Sequence, residues 1–264
     1  MGAKLGREKM GNMRENTLRK IWARGGVTIN GQCGIASSHV AEVMCSQGYD
    51  SLLIDMQHAP INFDAMFAML QAASTTNTIP MVRVTWNDPA LVMRVLDSGA
   101  YGVICPMVNN AEECRKFVGA CLYDPLGYRS YGPVRGYLYA GAEYYAKANE
   151  TIMPIAMIET KAAVERIDEI LSVPGLAAIY VGPSDLAITY GLTPSEGPQD
   201  PRLHAVFDTI VAACRRHGVV PGVHGFDPPY SQARIAQGFQ WVTCGVDIDL
   251  VYAGAADHVR RVRA

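Results

Sequence analysis

The sequence predicts a single α/β domain, a (β/α)8 or TIM barrel. Three observations carry this expectation. Eight short apolar, β-prone runs alternate with segments of helical character along 264 residues, and strand-helix alternation implies a parallel sheet. The runs are continuous rather than alternately apolar and polar, as expected of strands covered on both faces. Eight such units in 264 residues match the count and length of one closed barrel. A doubly wound sheet is the alternative. It usually carries a glycine-rich turn after its first strand, and neither GxGxxG nor GxxxxGK[ST] occurs here, so nucleotide-phosphate binding of those kinds is unsupported. The chain shows no repeat, no low-complexity segment and no linker, so residues 1–264 read as one domain.

Residues 1–25 form a polar arm that ends in a short helix at 15–23. A first strand at 27–33 is followed by a helix at 37–47, and a second strand at 49–55 by a helix at 62–74. Ile79-Pro80-Met81-Val82-Arg83-Val84 is the third strand, with a helix at 89–98. The fourth lies at 101–106, with a helix at 110–121. The fifth lies at 151–158, with a helix at 161–172, and the sixth at 176–181. A helix at 201–217 precedes the seventh strand at 219–223. The eighth is Trp241-Val242-Thr243-Cys244, before a last helix at about 247–262. The connection 123–150 is about twice the usual length for such a fold. It holds seven of the 13 tyrosines together with Arg129 and Arg135. A functional loop and a tyrosine-rich subunit contact both fit it.

Composition narrows the function. Apolar residues make up 49%, charged residues 18%, and net charge is −2. A nucleic-acid partner would need a basic patch that is absent. The Arg260-Arg261-Val262-Arg263 cluster reads as the solvated last turn of a helix. No apolar run approaches the ~18 residues of a membrane span, and the first 14 residues lack a signal-peptide core. Gly2 is not followed by Ser or Thr at position 6, which is Gly6, so myristoylation is not expected. Seven cysteines, an odd number without a CxxC pair, point to reduced thiols in the cytoplasm.

Charged residues gather where the strands end. The second strand empties into Asp55, with His58 three positions on. Arg83 stands at the end of the third, Glu159 follows the fifth, and Asp185 follows the sixth through Gly182-Pro183-Ser184. Each has an ordinary explanation alone: a capped turn, a salt bridge, a helix N-cap. Four at one end of a barrel do not, because that end carries the active site and unpaired buried charge is costly. Two carboxylates without paired His or CxxC suit a hard divalent ion such as Mg²⁺ or Mn²⁺. They leave about four positions of an octahedral ion open for substrate and water. The Gly182–Asp185 turn also presents backbone N–H groups to an anion. Lys161, next to the fifth strand's end, begins a helix, which disfavours an imine mechanism.

At these residues the chain resembles the HpcH/HpaI aldolase family of metal-dependent pyruvate aldolases. The matching pieces, in order, are LLIDMQHAP, MVRVTWNDP, PLGYRSYGP, MIETKAAVERIDEIL and YVGPSDLAITYG, within roughly residues 20–260. The resemblance implies a barrel of the phosphoenolpyruvate/pyruvate type. It also implies a homohexamer, a trimer of dimers with its C-terminal helix exchanged between partners. The implied activity is reversible cleavage of 4-hydroxy-2-oxo acids to pyruvate, or hydroxypyruvate, and an aldehyde through a metal-stabilised enolate. The implied cofactor is a divalent ion (Mg²⁺, Mn²⁺ or Co²⁺) on Glu159 and Asp185, with no nucleotide or PLP. His58 is then the base or assists it, oriented by Asp55. Arg83 stabilises the enolate oxygen, and the amides of Ser184 and Asp185, after Gly182, hold the carboxylate. Asp97 is a candidate contribution to a neighbour's site. Three places depart from the family's pattern: Gln57 stands for a glutamate before His58, Gly31-Gln32-Cys33 stands for a Gly-Leu-Trp pattern and so removes an indole, and Met157 stands for a glutamine. His224 stands where the family tends to place an apolar residue near the aldehyde, so a polar or acidic acceptor fits. A 2-oxo acid decarboxylase, a macrophomate-synthase-like enzyme, a CoA-ester lyase and a non-catalytic metabolite-binding oligomer remain alternatives.

Overall fold

In the computed structural model, residues 13–195, 197 and 200–264 are described. The expectations for Gly2, Gly6 and the first part of the N-terminal arm lie outside them. Eight strands close a barrel in sequence order: β1 (Thr28–Cys33), β2 (Ser51–Asp55), β3 (Ile79–Arg83), β4 (Gly102–Cys105), β5 (Met153–Ile158), β6 (Ala178–Val181), β7 (Val220–Val223) and β8 (Trp241–Val246). Every pairing is parallel, and β8 returns to β1. All residues of β2 through β6 are buried, which is why their sequences are continuous apolar runs.

The helices form the outer layer. After α1 (Thr17–Ala23) come α2 (Ser38–Cys45), α3 (Phe63–Ala73), α4 (Pro89–Asp97) and α5 (Ala111–Cys121). Each of the last four starts on a side chain that accepts a first-turn amide: Ser37, Asn62, Asp88 and Asn110. These caps set where each βα loop at the C-terminal end of the barrel stops. Then follow α6 (Val134–Ala140), α7 (Tyr144–Thr151), α8 (Lys161–Glu165), α9 (Ile167–Leu171), α10 (Pro183–Thr189), α11 (Pro201–His217), α12 (Pro228–Gln237) and α13 (Asp247–Arg263). The helix expected at 161–172 is broken at Arg166, whose φ of −114° and ψ of 22° leave the helical region.

Residues 123–150 follow a helix and precede a strand, so they lie at the N-terminal end of the barrel, away from the strand ends that carry the charges. They are not a βα loop. They fold as α6 and α7 around a buried Arg129, which pairs with Asp97 at 2.7 Å and donates to the Tyr144 hydroxyl. α1 covers the same end: Trp22 packs on Trp241 with ring centroids 6.2 Å apart. The C-terminal helix α13 does not lie on its own barrel. Asp247 is its buried residue, while Leu250, Val251, Tyr252, Val259 and Val262 are exposed. Among the described residues, no helix is long and apolar enough to cross a membrane.

Candidate active site

A cavity of about 410 Å³ opens at the C-terminal ends of the strands, and Asp55, His58, Arg83, Ser184, Asp185 and His224 line it. A larger hollow of about 650 Å³ lies at the opposite end, around Trp22, Arg215 and Gln240. Among the described residues no carboxylate or histidine lines it, and the chemistry concentrates in the smaller one.

Register explains the first cluster. β2 and β3 pair so that Asp55 stands beside Arg83. The Arg83 guanidinium donates from Nε at 2.9 Å and from Nη2 at 2.6 Å to the two Asp55 oxygens. This two-pronged pairing fixes the plane of the guanidinium. Among the described residues Nη1 is left with only the Met157 thioether at 3.8 Å, a weak partner, so it remains available to substrate. Burial pushes the Asp55 carboxyl up, but Arg83 and the amides of Gln57 and His58 outweigh it, and the group sits below the usual carboxylate range.

The expected Asp55–His58 dyad takes a different form. Asp55 accepts the backbone amides of Gln57 and His58 at 3.0 and 3.4 Å, and Gln32 Nε2 at 3.3 Å. With Arg83 these contacts occupy the carboxylate. Asp55 therefore shapes the turn that carries His58, rather than gripping its imidazole, and His58 is exposed at the cavity. Gln57 is not part of the cavity wall; its Oε1 is buried and has no hydrogen-bond partner among the described residues.

The second cluster joins β5 to β6. Glu159 follows β5, is 2% exposed, and accepts the Met107 amide on Oε1 at 2.7 Å. Met107 adopts φ 56°, a left-handed conformation that a non-glycine residue adopts at some cost. That conformation turns its N–H onto the glutamate. Oε2 has no hydrogen bond among the described residues. It lies behind Gly182, where an added Cβ would stand 2.8 Å away. Burial pushes the Glu159 carboxyl up to about 7, with the nearby charge of Asp185 adding to the rise and the Met107 amide opposing it. Asp185 is exposed to the cavity in the first turn of α10. Among the described residues, no three His, Cys, Asp or Glu side chains form a metal-holding group. A buried carboxylate with one oxygen unpartnered, a second carboxylate beside it and glycine keeping the approach open fit an oxygen-coordinated divalent ion that takes its other ligands from substrate and water.

His224 follows β7 and is half-buried, with Nδ1 3.2 Å from the Tyr180 hydroxyl. Burial and the charge of Arg83 lower its pKa to about 4. Asp97, at the end of α4, lies on the other face of its own barrel and is paired with Arg129. Met107 and Tyr180 did not stand out in the sequence. The first acts through its backbone, and the second is one of many apolar-looking residues in a buried strand.

The sequence profile described as HpcH/HpaI aldolase/citrate lyase matches residues 34–253. A hydroxypyruvate/pyruvate aldolase of Rhizorhabdus wittichii is 37% identical over 253 residues, covering 94% of this chain and 99% of its own. A 4-hydroxy-2-oxo-heptane-1,7-dioate aldolase of Salmonella paratyphi C is 32% identical over 244 residues, covering 91% of this chain and 92% of its own. Among solved structures, an HpcH/HpaI aldolase/citrate lyase family protein of Burkholderia cenocepacia superposes with a TM-score of 0.88 at 25% identity, covering 94% of this chain and all of its own.

Proposed function

The chain belongs to the HpcH/HpaI aldolase/citrate lyase family and is an aldolase, a carbon–carbon lyase, and from that premise we propose that it cleaves 4-hydroxy-2-oxo acids reversibly into an aldehyde and pyruvate or hydroxypyruvate with a divalent ion on Glu159 and Asp185. The observation that carries this reading is that Oε2 of the buried Glu159 has no hydrogen bond among the described residues and lies 2.8 Å from where a Cβ on Gly182 would stand, with Gly182, Asp185 and Arg83 lining the cavity. Mg²⁺, Mn²⁺ and Co²⁺ all suit such oxygen donors. When bound there, the ion supplies Lewis-acid polarisation of the substrate's keto group.

The protein's own groups divide the remaining work. Amides at the start of α10, from Ser184 and Asp185, hold the substrate carboxylate. His58 accepts the proton of the 4-hydroxyl, directly or through one water. As the C3–C4 bond breaks, its electron pair moves into the C2–C3 bond and negative charge builds on the C2 oxygen. Arg83 Nη1 faces that charge with a guanidinium already oriented by Asp55, so no reorganisation is needed as the charge develops. The proton then returns to C3, and the aldehyde leaves toward His224.

The test is a screen of pyruvate and hydroxypyruvate against short and acidic aldehydes with added Mg²⁺, Mn²⁺ or Co²⁺, read by product mass. The expected result is an aldol adduct that EDTA suppresses and metal restores. Release of CO₂ from oxaloacetate with no adduct from any aldehyde would instead support a decarboxylase.

We further infer a homo-oligomer, a hexamer in which α13 lies on a neighbouring copy, because its apolar side chains are exposed on its own barrel. The seven cysteines are free thiols, which supports a reducing, cytoplasmic setting.

A further inference from the structure

A string of hydrogen bonds crosses the inside of the barrel and ends at the cavity. Trp241 Nε1 donates to Ser51 Oγ at 3.1 Å, Ser51 Oγ donates to Asn30 Oδ1 at 2.7 Å, and Asn30 Nδ2 donates to Thr243 Oγ1 at 3.0 Å. Thr243 Oγ1 lies 2.6 Å from the Tyr180 hydroxyl, which lies 3.2 Å from Nδ1 of His224. Trp241, Ser51, Asn30, Thr243 and Tyr180 are each 0% exposed. The register sets Asn30 level with Ser51 on β2 and with Thr243 on β8, so the polar side chains meet as rungs in one layer. Gly222 leaves room for the indole that starts the string; a Cβ there would stand 2.5 Å from the Trp241 ring.

The polarity of the string follows from its first member. An indole N–H can only donate, so Ser51 accepts from Trp241 and passes its own proton to the Asn30 carbonyl. Turning the Asn30 amide over would leave the Ser51 proton without an acceptor. The Asn30 amide nitrogen then donates to Thr243. The Thr243 proton has one acceptor in the string, the Tyr180 oxygen, and Tyr180 passes its own proton to His224 Nδ1. Reversing the last two links would strand the Thr243 proton in a site closed to water, and an unpaired buried donor is unfavourable. A histidine that accepts at Nδ1 is neutral and carries its proton on Nε2. The lowered pKa of His224 agrees with a neutral ring. Phe226 packs edge-on against that ring at 5.3 Å. Nε2 has no hydrogen bond among the described residues, and His224 lines the cavity.

We propose that the string is a positioning device that locks His224 as its Nε2–H tautomer, giving the β7 side of the cavity a fixed neutral donor that selects acceptor aldehydes bearing an oxygen beside the carbonyl over alkyl aldehydes of the same size. This rests on the reading of the cavity as an aldol site. The carboxylate and keto oxygen of the 2-oxo acid are already served from β3, β5 and β6. The N–H on β7 therefore meets the other reactant. An oxygen there pairs with the N–H, whereas an alkyl group leaves it buried and unpaired. Trp241, Ser51, Asn30, Thr243 and Tyr180 act through His224 and are positioning residues.

Two readouts on the full chain test this. The first is long-range ¹H–¹⁵N NMR of the histidine rings at neutral pH, with the His224 signals assigned by their loss in His224→Asn. The expected spectrum has Nδ1 unprotonated and Nε2 protonated. Thr243→Val, which breaks the string, mixes the tautomers, and Thr243→Ser restores them. The second is the ratio of kcat/KM for glycolaldehyde to that for propionaldehyde, with pyruvate and Mg²⁺. It falls in Thr243→Val and in Tyr180→Phe, mainly through KM, by up to about tenfold, the limit set by complete loss of one neutral hydrogen bond; Thr243→Ser keeps it. A protonated Nδ1, or an unchanged ratio in both disrupted variants, overturns the proposal. Absence of metal-dependent deuterium exchange into pyruvate by the unmodified protein overturns the aldol reading and with it the substrate half of the proposal. The tautomer readout judges the string separately.

Discussion

One methyl group on Gly182 is enough to obstruct the proposed metal ligand, because an added Cβ would stand 2.8 Å from Glu159 Oε2. The backbone φ of −97° at Gly182 is open to any residue, so Gly182→Ala is expected to fold. Its Mn²⁺ affinity, measured by calorimetry, is expected to fall by about tenfold or more, as when a group shaping a metal ligand is changed. Unchanged affinity would place the ion elsewhere. Glu159 adds a pH signature. With its carboxyl pushed up to about 7, the metal-free folded protein keeps a proton that the unfolded chain releases near pH 4.3, roughly the ordinary glutamate value. Stability of the metal-free protein therefore declines as pH rises from there through about 7. A cation offsets the charge that appears above that point. The rise in Tm on adding Mn²⁺ is thus expected to be larger at pH 8 than at pH 6, and equal rises would contradict the assignment. The strand-end charges Asp55, Arg83, Glu159 and Asp185 were legible in the sequence because buried strands seldom end in charge without a partner or a ligand. The partner of Asp55 was not legible. His58 is near in sequence, whereas Arg83 is 28 positions away and reaches it only through the β2–β3 register. Met107 left no trace, since a backbone amide can come from any residue.

The connection between α5 and β5 shows where element-level reading stops. Its length and its tyrosines marked it as unusual, but its face of the barrel follows from connectivity: a helix-to-strand segment lies at the end opposite the site. Arg129 organises it, donating to Asp97 and to Tyr144 and lying over the Tyr123 ring at 4.6 Å. Arg129→Met is expected to lower stability by about 1–3 kcal/mol, the larger part from leaving polar partners unmatched, with kcat within about twofold of normal. Asp97→Asn is expected to behave alike, and a large loss of kcat there would instead speak for a contribution to a neighbour's site. Thermal melts and steady-state rates separate the two. The short helix α12 was missed for a related reason. Asp227-Pro228-Pro229 reads as a loop, yet Asp227 caps the Tyr230 amide at 2.7 Å and proline is well tolerated in the first turn of a helix.

For the molecule as a whole, the barrel was legible because burial on both faces gives β2 through β6 a largely continuous apolar signature and helices fall between the strands. The proposed oligomeric assembly rests on the exposed apolar side chains of α13. Leu250→Glu with Tyr252→Glu on α13 is expected to shift the mass seen by light scattering from a hexamer to a smaller species, and an unchanged hexamer would show that α13 is not the contact. The hydrogen-bonded string in the barrel interior was illegible in the sequence, because Asn30, Ser51 and Thr243 are 190 to 213 positions from some of the groups they bind. The whole molecule is proposed to make an enolate from a 2-oxo acid using an ion held by Glu159 and Asp185. Proton NMR of pyruvate in D₂O tests it most directly, by following loss of the methyl signal. The expected result is exchange with Mg²⁺, none after EDTA, recovery on adding Mg²⁺ back, and none in Glu159→Gln. Exchange that survives EDTA, together with covalent trapping of pyruvate on the protein by borohydride, would contradict it.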